Sequence, residues 1–236
     1  MMASRPLKNR DLPIKSAATV SVGRSKKALF NRSIAFSRKT FYSLREILQA
    51  DGIMFQYIAF HKPYGVLSQF TPEGGHEGLK TFGFPPDVYA AGRLDHDSEG
   101  LLLLTDDGRL IRKLLDPAFG HSRTYLAQVE GVPTPEALET LRRGIFLKEF
   151  RTKPCRAEAV DAPVFPPRVP PVRFRKTVPD SWIRLTLTEG KNRQVRRMTA
   201  AVGFPTLRLI RTAVGKLELA GLMPGEWRFV RREDVL

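Results

Sequence analysis

A turn rich in carboxylates, followed at once by an apolar run, constrains the fold of this chain more than any other stretch. Residues 92–100 read GRLDHDSEG, and residues 101–105 read LLLLT. A continuous apolar run of this length is typical of a strand that is buried on both faces. Polar side chains on a turn that leads into such a strand occupy a common position for catalytic groups. We therefore expect a buried strand at 101–105 and a functional carboxylate just before it.

Strand-like and helix-like patterns alternate irregularly over the rest of the chain, and strands outnumber helices. We expect strands at residues 55–60, 66–70, 101–105, 124–130, 156–160, 182–188, 206–211 and 216–219, and helices ending at residues 115, 143 and 202. Asp106 or Asp107 can cap the first helix, and Thr134 followed by Pro135 can start the second. This order predicts an α+β fold around a mixed sheet with flanking helices. The sequence has neither a GxGxxG after its first strand nor a P-loop, so a nucleotide cofactor is not indicated.

The charge balance indicates a polyanionic partner. Lys and Arg number 39 against 24 Asp and Glu, which gives a formal net charge of +15 and a pI near 10.4. Such a balance favours nucleic acid. An anionic membrane is less favoured, because no segment combines an apolar helical face with a basic one and no long apolar run occurs. One cysteine and four scattered histidines lack the spacing of metal ligands, so we expect no metal site.

Residues 1–53 differ from the rest, and we expect the globular domain to occupy residues 54–236. The first fifty residues contain two acids and eleven basic residues, which are Arg5, Lys8, Arg10, Lys15, Arg24, Lys26, Lys27, Arg32, Arg38, Lys39 and Arg45. Sparse apolar residues without a long period predict a disordered basic arm that docks on RNA phosphates. Two other interpretations stay open, an organelle transit peptide or sequence upstream of a start at Met54. We expect a cytoplasmic protein, or an organellar one if the arm is a transit peptide.

Three carboxylates of the acidic turn, Asp95, Asp97 and Glu99, are candidates for chemistry. On an extended turn, side chains two positions apart point the same way, so all three could line one site. Spacing alone leaves three interpretations open: solvated or capping turn residues, an acid/base pair of the glycosidase type, and a nucleophile. Arg93 could keep Asp95 ionised by lowering its pKa.

A second candidate site is the stretch EGKNRQVRRM at residues 189–198, where a strand-ending glycine leads into a basic helix. A helix N-terminus with cations beside it suits phosphate, although a solvated basic helix is the ordinary alternative. The amide side chains add the capacity to read a base or a sugar. We predict RNA contacts for Lys191, Asn192, Arg193, Gln194 and Arg197.

Tyr125 is the third candidate, because it lies at the start of the predicted strand at 124–130. A tyrosine in this position is most often half-buried core. It could instead stack on a base or accept a proton.

Taken in order, these segments resemble the pseudouridine synthases that modify ribosomal RNA. The chain has GRLD followed by DSEGLLLLTDDG, then a basic residue with Thr124 and Tyr125 before a strand ending VEG, then EGKNRQVRRM. The resemblance covers about residues 55–232, and the first and third motifs are long and specific. The opening FHKPYGVLSQF, the proline-rich segment at 162–179 and SWIRL at 181–185 are most similar to the large-subunit synthases of subtype E.

The resemblance implies the pseudouridine synthase fold, with a mostly antiparallel sheet, and an isomerase that uses no cofactor and no metal. It implies that Asp95 attacks C1′ of a target uridine, or assists loss of the base through a glycal-like route. Tyr125 would stack on the base and help to remove the C5 proton. Arg196 would act in catalysis by pairing with Asp95, and Arg93 would displace or hold the flipped nucleotide.

The implied partner is large-subunit ribosomal RNA, and we expect the protein to act as a monomer. Many relatives carry Lys where this chain has Arg123, and many have an N-terminal S4-type RNA-binding domain that residues 1–53 do not resemble. The arm could replace that domain electrostatically, or the catalytic domain could act alone. A non-catalytic RNA-binding or ribosome-assembly factor stays open as an alternative, and so does a glycoside hydrolase built on paired carboxylates.

Overall fold

The computed structural model describes residues 55–173, 175 and 177–236. The arm predicted at residues 1–53 lies outside these ranges. Within them the chain forms a nine-stranded sheet, a two-stranded ribbon and three α-helices. The strands, in chain order, are β1 (Tyr57–Lys62), β2 (Tyr89–Ala90), β3 (Glu99–Thr105), β4 (Arg123–Glu130), β5 (Phe146–Leu147), β6 (Phe150–Arg151), β7 (Arg156–Val160), β8 (Asp180–Leu187), β9 (Thr206–Val214), β10 (Leu217–Glu218) and β11 (Trp227–Phe229). The α-helices are α1 (Gly108–Leu115), α2 (Pro135–Arg143) and α3 (Gln194–Ala201), and short 3-10 helices span Leu79–Phe82, Pro117–Phe119 and Arg232–Asp234.

The large sheet is mixed and mostly antiparallel. Its order is β11-β1-β3-β9-β4-β8-β7, with β2 paired to β3 and β10 paired to β9. Among the pairs in the described residues, β3 and β9 run parallel and the others antiparallel. The prediction of an α+β fold around a mixed sheet is confirmed.

Strand β3 is buried along its whole length, as its apolar run predicted. Leu101 and Leu103 pack into one core cluster, and Leu102 and Leu104 pack into another on the opposite face. A strand held from both faces is a rigid base for the turn that precedes it.

The helices begin where capping residues allow. Asp107 accepts hydrogen bonds from the backbone amides of Arg109 and Leu110, and Thr134 caps α2. Helix α3 begins later than the expected Lys191, because Arg193 has a left-handed backbone with φ of 48°. None of the described helices has the length and hydropathy of a membrane span.

The prediction of a strand at residues 66–70 is wrong, since residues 66–67 are irregular and residues 68–70 form bends. The Val66 carbonyl accepts a hydrogen bond from Lys62 Nζ at 2.7 Å. The Ser68 hydroxyl accepts from the Leu94 amide at 3.0 Å and donates to the Leu94 carbonyl at 2.8 Å. The polar groups of this segment therefore bond to Lys62 and to the acidic turn, and they do not pair with a neighbouring strand.

Candidate active site

The candidate site lies where β3 and β9 separate. These parallel strands pair at Glu99–Ile210 and Gly100–Arg211. Gly100 permits the contact, because its φ is +105° and a Cβ there would lie 2.3 Å from the Arg211 carbonyl oxygen. A cavity of about 670 Å³ opens beside this junction.

The cavity gathers most of the residues that the sequence predicted. Its lining includes Arg93, Asp95, Tyr125, Lys191, Asn192, Arg193 and Gln194. Segments that are far apart in the chain thus meet at one place. The lining, as described, does not include Arg196 or Arg197.

Asp95 is held through the backbone on both of its sides. Ser68 fixes Leu94, and the Gly65 amide donates to the His96 carbonyl at 2.7 Å. The Asp95 side chain keeps a third of its surface, 33%, exposed, and its Oδ2 lies 3.5 Å from Arg193 Nη1. This carboxylate is therefore anchored but accessible, as a group that must reach a substrate needs to be.

The ion pair expected between Arg196 and Asp95 is replaced by contacts with Asp97. Arg196 Nη2 donates to the Asp97 carbonyl oxygen at 2.7 Å, and its Nε lies 3.4 Å from Asp97 Oδ2. Arg193 donates to both carboxylate oxygens of Asp97, at 3.0 and 2.8 Å. Burial would raise the pKa of Asp97, but the hydrogen bonds from Arg193 and the charge of Arg196 bring it below its ordinary value. Asp97 thus ties the acidic turn to the start of α3, and Arg196 supports Asp95 through its neighbour.

Glu99 is not a solvated turn residue. It is 2% exposed, and both of its oxygens accept hydrogen bonds from Arg208, each at 2.8 Å. Arg208 lies on β9, so this buried pair fastens the start of β3 to its parallel neighbour. Because both Glu99 oxygens accept hydrogen bonds from Arg208, Glu99 is not available as a general acid or base.

Tyr125 lies on β4 opposite Arg211 of β9, and it is 9% exposed. The Tyr125 side chain lies beside the Arg211 guanidinium and favours its charged form. The ring belongs to a core cluster and also lines the cavity. Tyr125 therefore packs in the core and also borders the cavity, while its stacking on a base stays a prediction.

The residues of the EGKNRQVRRM stretch separate into different environments. Gln194 is buried, accepting from the Lys191 amide at 3.0 Å and donating to Glu189 at 2.6 Å. Lys191 Nζ lies 3.7 Å from the Phe150 ring centroid, and Arg197 contacts that ring from 5.2 Å and pairs with Glu149. The Gln194 amide therefore shapes the loop. Contacts of these residues with RNA stay a prediction.

Lys62 is not part of the cavity lining but supports the acidic turn from behind, and sequence reasoning missed it. Its ammonium is fully buried and donates to the carbonyls of Pro63 at 2.9 Å and Val66 at 2.7 Å, and it lies 3.5 Å from the His96 carbonyl. Burial lowers the pKa of Lys62 to about 7, although nearby carboxylates, Glu99 first, oppose the change. The turn Lys62-Pro63-Tyr64-Gly65 gave a signal for a loop, but no local pattern shows that a lysine points inward.

A second cavity, of about 830 Å³, lies on the other face of the sheet. Its lining includes Leu126, Cys155 and Arg184, and Arg184 pairs with Glu158 at 2.8 Å. Burial raises the pKa of the Cys155 thiol to about 11, which disfavours a reactive thiolate. Although this cavity is larger, it holds none of the predicted site residues.

No group of three or more His, Cys, Asp and Glu in the described ranges is arranged to hold a metal ion.

Residues 56–201 match the family model described as RNA pseudouridylate synthase. The chain therefore belongs to the RNA pseudouridylate synthase family, as its motifs predicted. The fold agrees: a crystal structure of a pseudouridylate synthase superposes with a TM-score of 0.65 at 28% identity, covering 77% of this chain and 72% of that one.

Within the family, the chain is similar to synthases of the large ribosomal subunit. It is 55% identical over 174 residues to ribosomal large subunit pseudouridine synthase E of Xanthomonas campestris pv. campestris, covering 72% of this chain and 93% of that protein. It is 38% identical over 181 residues to ribosomal large subunit pseudouridine synthase B of Bacillus subtilis, covering 76% of this chain and 69% of that protein. The higher identity to the type E protein agrees with the motifs that pointed to subtype E.

Proposed function

We propose that this protein isomerises one or a few uridines of large-subunit ribosomal RNA to pseudouridine. One observation carries the proposal: in a chain of the pseudouridylate synthase family, one cavity is lined by the anchored Asp95 carboxylate, the Tyr125 ring and the exposed Arg93. The RNA class is supported by the names of the similar proteins from Xanthomonas campestris and Bacillus subtilis.

In the proposed reaction the C1′–N1 bond of the target uridine breaks, and its electron pair stays with the uracil. Asp95 either bonds through an oxygen to C1′ or assists loss of the base by a glycal-like route. The uracil rotates, C5 bonds to C1′, C5 gives up its proton and N1 gains one. Substrate and product are isomers, so the scheme uses no oxidant or reductant, and the chain's own groups can carry it.

The cavity suits a reaction that must retain the detached base. The target nucleotide has to leave its stack, and the Tyr125 ring offers a surface on which the uracil can stack instead. Leu94 and Leu209 line the same cavity and limit water, which strengthens the electrostatic influence of Asp95. Tyr125 would also help to remove the C5 proton.

The cations of the chain would hold the RNA. A net charge of +15 gives phosphate affinity that does not depend on sequence. Arg93, Lys191 and Arg193 bring part of this charge to the cavity. That the protein acts as a cytoplasmic monomer stays a prediction from the sequence.

The test is Asp95→Asn, assayed with transcribed large-subunit ribosomal RNA. The substitution keeps the shape of the side chain and removes the carboxylate. Pseudouridine formation should fall by more than ~10³-fold, the scale expected when a nucleophile is lost. RNA affinity should stay within a few-fold. Asp87→Asn is the matched control, because Asp87 is exposed and outside the cavity lining, and it should be as active as the wild type.

The same assay separates the alternatives. Turnover that survives Asp95→Asn would sink the assignment of this residue. A non-catalytic assembly factor would form no pseudouridine even as the wild type. A glycoside hydrolase would release free uracil, which the proposed synthase keeps and rejoins.

A further inference from the structure

Arg211 is a buried guanidinium in the active-site cavity without a carboxylate partner. The residue is 4% exposed and lines the cavity beside Tyr125. Its Nε donates to the Leu101 carbonyl at 2.8 Å, while its Nη2 has no hydrogen-bond partner. No carboxylate in the described part of the chain lies within ion-pair distance of it.

The other arginines near the junction each have a carboxylate beside them. Arg208, three positions earlier on β9, is 6% exposed and is paired with Glu99 through two hydrogen bonds of 2.8 Å. Arg196, which is partly buried, has the Asp97 carboxylate 3.4 Å from its Nε, although that Nε makes no hydrogen bond. A buried cation without a counter-charge costs stability, so its presence in a cavity indicates a ligand that brings the missing charge.

The surroundings of Arg211 make this part of the cavity cationic. Arg123 and Lys62 act on the Arg211 guanidinium with charge of the same sign, and Tyr125 lies opposite Arg211 on the neighbouring strand. The packed side chains of β3, β4 and β9 leave little water to screen this field. A ligand oxygen with negative charge would be favoured here.

The geometry points to a role for Arg211 in the proposed reaction: we propose that its guanidinium donates to a carbonyl oxygen, O2 or O4, of the uracil and stabilises the uracil anion. This inference rests on the proposed function. When the C1′–N1 bond breaks, its electron pair moves to the uracil and is shared by N1, O2 and O4. Arg211 keeps its proton throughout. The charge leaves the uracil when C5 gives an electron pair to the new bond with C1′.

The experiment compares Arg211→Gln and Arg211→Lys with the control Arg208→Lys. Arg208 lies on the same strand, is similarly buried and faces the other side of the sheet, where lysine keeps the charge opposite Glu99. Each protein reacts in single turnover with large-subunit ribosomal RNA transcribed from UTP or from 5-fluoro-UTP. Loss of the N-linked nucleoside is measured by digestion and mass spectrometry. Fluorine withdraws electrons, so the fluorouracil anion needs less stabilisation.

Arg211→Gln should slow the uridine transcript by about 100-fold, the scale of losing one preorganised donor to a developing anion. RNA affinity should stay within a few-fold. On the fluorinated transcript the deficit should shrink to less than about 10-fold, since less of the barrier depends on the donor. Arg211→Lys should be intermediate, because its point charge lacks the fork of the guanidinium. Arg208→Lys keeps the charge but loses the two-pronged contact with Glu99, so its rate should change by the same factor on both transcripts.

Equal deficits on the two transcripts would overturn the anion-stabilising role, and a wild-type rate for folded Arg211→Gln would overturn it outright. If circular dichroism shows that Arg211→Gln does not fold, the rate deficits of Arg211→Lys on the two transcripts are compared instead. Failure of the proposed function is distinguishable, because then the wild type itself forms no pseudouridine.

Discussion

At the scale of single residues, arginines give different tasks to three carboxylates of similar chemistry. Glu99 forms a buried ion pair with Arg208, and Asp97 forms ion pairs with Arg193 and Arg196. Asp95 keeps one contact of 3.5 Å with Arg193 and a third of its surface open. The sequence places the three carboxylates on one turn, but it does not show which arginine reaches which carboxylate. Those partners lie about a hundred residues away, at a distance that no local pattern encodes.

Lys62 predicts a pH dependence of stability. Its pKa is lowered from 10.5 to about 7 in the folded protein. Between these two values the unfolded chain binds a proton that the folded chain does not, so the Lys62 contribution to stability rises with pH across this window. Below the lower value both states bind the proton, and the contribution no longer changes with pH. Each unit of the pKa difference corresponds to about 1.4 kcal/mol.

The substitution Lys62→Met should remove this dependence. Urea unfolding at pH 7, 8.5 and 10 should show the wild type gaining stability over Lys62→Met by a few kcal/mol, at about 1.4 kcal/mol per pH unit. Lys80→Met, at an exposed lysine, should keep the wild-type slope. Parallel pH profiles for wild type and Lys62→Met would contradict the assignment of a buried, neutralising lysine.

At the scale of elements, the site depends on the short parallel contact between β3 and β9. The contact places the acidic turn beside Arg211 and leaves the cavity open where the strands part. Gly100 is the residue that lets the two backbones approach, with a positive φ and Arg211 backbone atoms 2.3 and 2.6 Å from an added Cβ.

Gly100→Ala should therefore destabilise the protein by about 2–4 kcal/mol, from a strained φ and a backbone clash. Gly108→Ala is the matched control, because an added Cβ there meets no atom within 4 Å and the residue starts α1. That control should be neutral or up to ~1 kcal/mol more stable. Urea unfolding midpoints for the two variants decide the matter, and similar midpoints would contradict the close approach.

Elements with a strong local pattern are the ones that the sequence predicts. The apolar run of β3 and the capped helices α1 and α2 lie at the predicted places. Strands of two residues, such as β2 and β5, carry no periodicity and were missed. The strand predicted at 66–70 is absent, because its apolar residues pack in a loop whose polar groups bind Lys62 and Leu94. Strand pairing and the cavity follow from contacts between distant segments, which local patterns do not contain.

At the scale of the whole molecule, positive charge is the property that should govern RNA binding. Eleven of the 39 Lys and Arg lie in the first fifty residues. Each cation that neutralises a phosphate releases a counterion, so the salt dependence of the affinity reports how many cations take part.

Removal of residues 1–50 should weaken RNA binding and flatten the plot of log affinity against log salt. On single-stranded RNA the slope should change by about 0.7 for each phosphate that the arm no longer neutralises. Removal of residues 1–20, which hold four of these cations, should have a smaller effect. Filter binding from low to moderate salt measures both slopes. An unchanged slope would argue that residues 1–50 are a targeting peptide or lie upstream of a start at Met54.

The central claim is that this protein forms pseudouridine in large-subunit ribosomal RNA through Asp95. Mapping pseudouridine at single-nucleotide resolution, in cells that lack the protein and after its return, tests the claim most directly. We expect one or a few large-subunit positions to lose pseudouridine without the protein and to regain it with the wild type, but not with Asp95→Asn. An identical map in all three cases, or recovery with Asp95→Asn, would contradict the account.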